Sequence, residues 1–253
     1  MYDNSHSDKS PPSETASSIL GHVLSQGAGR FISEYNDFIS KVDFRDIADY
    51  PSPDVRSMEG HYSSDGVRHA IWLDPESPDF EGLLLHQTMR AILMERGFPR
   101  AECVPAKTYC SLIRYLCGLL SGVIVDPVID GQLIQGGFPV YNRETLIGRA
   151  TADVWLDAPQ EETAPEFLFR KWALFTIVLR LDPTFRGDGA ERLRNLIRDN
   201  FPSSVEFGER FSTTIIETGF TDPYSALIVM VRLRNALKLH NKIHIVDGKG
   251  AYW

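Results

Sequence analysis

Apolar positions recur every three or four residues through most of the second half of the chain. This spacing predicts helices over 166–181, 190–200, 203–218 and 223–239. Breaks fall between them at Asp182-Pro183, Gly187-Asp188-Gly189, Phe201-Pro202 and Gly219, and Ser203 with Glu206 reads as a capping box. Upstream, helical spacing covers 80–97 and 108–125. Asp126-Pro127 is expected to end the second of these, with a short helix following to about Gly136. Residues 142–156 read as another helix, 157–166 as an acidic loop and 100–107 as a polar connector. Near the start, 17–26 and 30–42 read as two short helices separated by Gly27-Ala28-Gly29. The period changes to two over 55–62 and 67–73, which flank Ser63-Ser64-Asp65-Gly66 and predict a hairpin. A last strand-like run spans 242–246. The expected fold class is therefore α+β and mainly α-helical, with a small antiparallel sheet next to a central helix. Residues 1–16 are too polar to fold alone and read as a disordered tail, leaving 17–253 as a single domain.

Composition narrows the function classes. The chain has 253 residues, 43% hydrophobic and 24% charged, as in ordinary globular proteins. A formal net charge of −8 argues against a general affinity for nucleic acid or for an anionic membrane. No uninterrupted apolar run approaches the roughly 20 residues that span a bilayer. The first residues lack the basic-then-apolar pattern of a leader, so a cytoplasmic location is expected. Cys103, Cys110 and Cys117 lack metal-ligand spacing and read as reduced thiols. No P-loop, dinucleotide fingerprint or nucleophile elbow is present, and no cofactor is expected.

The chemistry-bearing stretch is 69–99. A short strand, 69–74, runs through a turn into the apolar helix 80–97, which Asp79 is placed to cap and Gly97-Phe98-Pro99 closes. His86 and Arg90 are four residues apart on that helix and share a face. This strand-then-helix arrangement, with His86-Gln87-Thr88-Met89-Arg90, resembles the H-E-x-x-H helix of zincin metallopeptidases. The likeness extends through a second helical stretch ending in Gly137-Phe138-Pro139. Over roughly 54–140 the chain is similar to a group of bacterial zincin-like proteins whose helix carries an intact motif and ends in the same Gly-Phe-Pro turn.

The resemblance implies a zincin-like fold with degenerate chemistry. Two imidazoles and a further protein ligand would hold zinc, and a glutamate would take the proton of its water. Here Gln87 has no basic carboxylate, and Arg90 keeps a positive charge that repels a cation. No metal is expected. By the resemblance, Asp126 or Asp130 stands where a third ligand would. Arg90 then either pairs internally with Asp126, Asp130 or Glu95 or receives an anionic group of a ligand. His61 and His69, on the hairpin arms, are set against His86 as a less economical metal trio. With Trp72 on the strand beside the cleft, the expected binding residues are His86, Arg90, Asp126, Asp130, His69 and Trp72. The candidate catalytic residues are His86, Gln87 and Arg90. Three readings stay open: a pseudoenzyme whose cleft binds a peptide or protein partner, an enzyme with repurposed chemistry, and a helical interaction module.

Overall fold

The computed structural model describes residues 18–51, 60–64, 69–104, 111–142, 147 and 164–253. The predicted tail, residues 55–59 of the first hairpin arm, positions 65–68 in the turn and the start of the second arm, and nearly all of the 142–156 helix fall outside them. Within the described residues the protein is mainly helical, with a small mixed sheet.

The first element differs from the sequence expectation. Ser18–Ile19 (β1) and His22–Val23 (β2) pair antiparallel instead of forming a helix. Leu20 and Gly21 between them take positive φ values of 50° and 82°. Two consecutive left-handed residues make the tight turn that suits a two-residue hairpin. Strands this short are too brief to show a period. Ser25 then caps α1 (Gln26–Glu34), its hydroxyl accepting from Ala28 N–H, and the helix runs through Gly27 and Gly29 rather than breaking there. After α2 (Asn36–Ile39) comes a strand absent from the expectation, β3 (Val42–Asp46). Its alternation was present in the sequence: Val42 and Phe44 turn inward while Asp43 and Arg45 are exposed.

β4 (Gly60–Ser64) and β5 (His69–Leu73) form the expected antiparallel pair, in the register His61 opposite Trp72. β3 lies on the other side of β5 and runs parallel to it, so the order is β3-β5-β4 and the sheet is mixed, not antiparallel. The central strand is thus β5, and β3 and β4 are the two edges. The chain then enters α3 (Phe80–Glu95), in which Leu84, Leu85 and Ala91 are fully buried. Twelve of its 16 residues are buried, which means that it is enclosed on almost every side. Any polar side chain on such a helix must find a partner inside the protein.

Gly97, at φ 94°, ends α3 with paired bonds from Phe98 N–H to Leu93 O and from Gly97 N–H to Met94 O. This is a Schellman motif. The same pair of bonds recurs at Gly137 and Phe138, which end α4 (Ser111–Gly136). α4 runs without interruption through Pro127, correcting the break expected there. The proline withholds one donor from the carbonyl four residues earlier. Burial of Val123, Ile124, Ile129 and Leu133 on either side outweighs that loss. By length and composition, Leu112–Gly136 is apolar enough to cross a membrane; in this structure 56% of its apolar window is buried against protein.

Arg100–Cys103 (β6), expected as a connector, pairs antiparallel with the predicted strand Ile243–Val246 (β7). The remaining helices follow the sequence pattern closely: α5 (Ala164–Leu181), α6 (Asp188–Asn200), α7 (Pro202–Thr218) and α8 (Pro223–Ala236). α7 starts at Pro202 without a side-chain cap, so the expected capping box does not form. The main core joins α1, the sheet, α3, α4 and α8. A second cluster around Trp172, Phe175, Phe185 and Leu193 joins α5 to α6.

Candidate functional site

The site lies where α3 crosses α4. His86 and Arg90 are one helical turn apart on α3, and Asp126 and Asp130 are one turn apart on α4. Each helix therefore presents two polar groups on one face, and the two faces meet. Continuity of α4 through Pro127 is what sets both aspartates in a single register.

His86 Nδ1 stands 2.9 Å from Asp130 Oδ1. A carboxylate oxygen can only accept, so Nδ1 carries a proton and donates it. Both groups are almost wholly buried, at 3% and 0% side-chain exposure. His86 Nε2 points at Asp126 Oδ1, 3.5 Å away, which is longer than a hydrogen bond. Arg90 Nη2 donates to that same oxygen. Asp126 Oδ1 is thus shared by the guanidinium and faced by the imidazole. Gly122, one turn earlier on α4, leaves room for its carboxylate: a Cβ there would lie 2.9 Å from Asp126 Oδ2.

The network continues beyond the residues singled out from sequence. Thr184 Oγ1 donates to Asp182 Oδ1 at 2.6 Å and lies 3.4 Å from Asp130 Oδ2. Asp182 is buried at the end of α5, where its carboxylate also accepts from Thr184 N–H. In the sequence Asp182-Pro183 reads only as a helix stop, and nothing in its spacing signals a link to α4. Tyr141, with its ring centroid 6.3 Å from that of His86, closes another side.

Gln87 turns to the sheet. It packs on Gly60 of β4, where a Cβ would come within 3.2 Å of Gln87 Cγ and 2.9 Å of Leu83 Cδ1. β4 therefore lies directly over α3 because position 60 has no side chain. His61 follows on β4. Its imidazole is held below the usual histidine pKa, first by burial and then by the nearby Arg90 charge.

His69 and Trp72 do not join the site. His69 Nδ1 lies 3.0 Å from Tyr62 OH, and its ring packs on Phe38. Trp72 donates from Nε1 to Ser63 Oγ and is sandwiched by Tyr50 and the Arg45 guanidinium. Successive strand residues alternate faces, so His61 and His69 lie on opposite sides of the sheet and the histidine trio does not converge. Among the described residues, no group of three His, Cys, Asp or Glu side chains is arranged to hold a metal ion. The zinc set implied by the resemblance does not fit, because the positive Arg90 occupies one ligand position.

No family model matches the chain, and no curated protein or solved structure does. What fold and site define is a mainly helical protein with a small mixed sheet and a four-residue polar clasp between two core helices, buried at His86 and Asp130 and partly exposed at Arg90 and Asp126.

Proposed function

We propose that this protein is a zincin-like pseudoenzyme that binds an extended peptide or protein segment along β4, above α3. The observation that carries the proposal is the clasp. Metal-ligating histidines characteristically donate their second ring N–H to a carboxylate, which fixes the tautomer and aims the other nitrogen. His86 is oriented by Asp130 in that way, and its Nε2 is aimed at a second carboxylate, Asp126. Arg90 supplies the positive charge between them and satisfies Asp126 in place of a cation. This is the pattern expected of a metal site whose ion has been replaced by an internal guanidinium.

The edge supports the binding half of the reading. Among the described residues β4 stands at one end of the strand order, and an edge strand is where an extended chain can add to a sheet. Repurposed catalysis is less well supported. A general base needs its free nitrogen within reach of substrate, whereas His86 is 2% exposed and its Nε2 faces Asp126.

The test is selection of peptides from a displayed random library on the purified chain. The proposal expects binders whose affinity falls when alternate backbone amides are N-methylated, because only every second N–H of a paired strand faces its neighbour. Proline at one of the adjacent positions His61 and Tyr62 would remove the outward donor and weaken the same binders. Binders indifferent to both changes, or a library with no binder, would contradict the proposal.

A further inference from the structure

Apart from the clasp, a cavity of about 330 Å³ opens between α5, α6 and α7. That is at the low end of the roughly 300–1,000 Å³ typical of small-molecule sites. Its floor is apolar: Leu179, Ile197 and Val205 all belong to the second core cluster. Its rim is charged, with Arg180, Arg194 and Arg198 facing Glu209. Arg194 is paired with Glu191 and Arg198 with Glu209, so Arg180 leaves the opening with a positive excess in a chain whose net charge is −8. A concave surface of inverted sign concentrates anions from solution.

The three arginines are not equivalent. Arg194 is committed: its Nη2 donates to the carbonyls of Leu179 at 2.9 Å and Phe185 at 2.8 Å, holding the end of α5. Arg198 bonds Asn195 on its own helix and stands 3.9 Å from Glu209, beyond hydrogen-bond distance. Arg180 makes no ion pair or hydrogen bond among the described residues. Arg180 is thus without a partner among the described residues, and Arg198 is held only by Asn195 and a long, exposed ion pair with Glu209, so both can turn to a ligand above the apolar floor. The Thr176 hydroxyl already donates to Trp172 O and offers little further.

We infer that this cavity binds a small organic carboxylate, with its apolar body against Leu179, Ile197 and Val205 and its head between Arg180 and Arg198. Guanidinium groups match a carboxylate in shape and charge. An inorganic anion would gain nothing from the floor, and Glu209 on the rim disfavours a dianion more than a monoanion.

The experiment is a titration of the full chain with octanoate, octan-1-ol and inorganic phosphate, followed by NMR shifts and melting temperature. Octanoate is expected to bind at millimolar concentrations and to raise the melting temperature with concentration. Octan-1-ol and phosphate should each bind at least about tenfold more weakly, since one lacks the charge and the other the apolar body. Arg180→Ala, at an exposed position that leaves the core intact, should cost octanoate about tenfold. Glu209→Gln should tighten binding. The inference is overturned if octanol or phosphate binds as well as octanoate, if Arg180→Ala leaves octanoate affinity unchanged, or if octanoate does not bind at all.

Discussion

At the scale of single residues, Asp126 and Asp130 differ in a way that two mutations can separate. Asp130 has no solvent exposure and bonds an equally buried imidazole, whereas Asp126 and Arg90 are 18% and 25% exposed. Removing one member of a fully buried pair leaves the other uncompensated, at about 3–5 kcal/mol. Asp130→Ala is therefore expected to lose that much by urea unfolding. Arg90→Ala should lose less, about 1.5–3 kcal/mol, because water reaches the orphaned Asp126. Equal losses would mean that the two pairs are not graded by burial. His61 sets a pH dependence. Its folded pKa lies below the unfolded value of about 6.5, so the unfolded chain takes up the proton first. Its contribution to stability is complete above pH 6.5 and is lost as pH falls toward the folded value. His61→Gln should flatten this part of the stability profile, and a profile identical to the parent would exclude His61 as its source. Of these residues, His86 and Arg90 were legible as a pair from their i and i+4 spacing on one helix face, whereas Asp126 and Asp130 were named only through the resemblance, because a break was expected at Pro127 between them. Asp182 and Thr184 were not legible, because an Asp-Pro after a helix reads first as a stop.

At the scale of elements, sequence legibility follows length and exposure. α5 to α8 each have a solvated face, so their period of 3.6 is visible. α3 is enclosed, so its apolar residues fall on nearly every side and its period is faint, yet its end at Gly97 is sharply marked. The break expected at Pro127 failed because a buried helix tolerates one missing hydrogen bond when its flanks are packed. The hairpin β1–β2 has two residues per strand, fewer than any pattern needs. Close approach is a further element-scale property. α7 touches α5 at Gly208, where a Cβ would fall 2.6 Å from Thr176 Cβ and 2.9 Å from Ala173 O. One of these contacts is backbone and cannot rotate away. Gly208→Ala is therefore expected to push the helices apart and destabilise the fold by about 1–3 kcal/mol, despite the better helix propensity of alanine. A thermal melt showing a more stable variant would contradict that packing.

At the scale of the whole molecule, the order β4, β5, α3 places an edge strand, a central strand and a buried polar helix face in succession. The strand-then-helix entry was readable in the sequence. The pairing of the parallel strand β3, which makes β5 central and β3 and β4 the two edges, was not, since it joins segments more than 20 residues apart. On the proposed reading, α3 and α4 retain the frame of a metal site whose ion has been replaced by Arg90. Gln87→Glu with Arg90→His tests it most directly. Removing the guanidinium frees Asp126 Oδ1, which already faces His86 Nε2 at 3.5 Å. A zinc ion between two imidazoles and that carboxylate needs contacts of roughly 2.0–2.2 Å, a small adjustment from this geometry. The measurement is the melting temperature with and without equimolar zinc. The account predicts a rise in the double variant, none in the parent, and none when Asp126→Ala is added. A double variant that folds with the parent's circular dichroism but melts at the same temperature with zinc as without would contradict it.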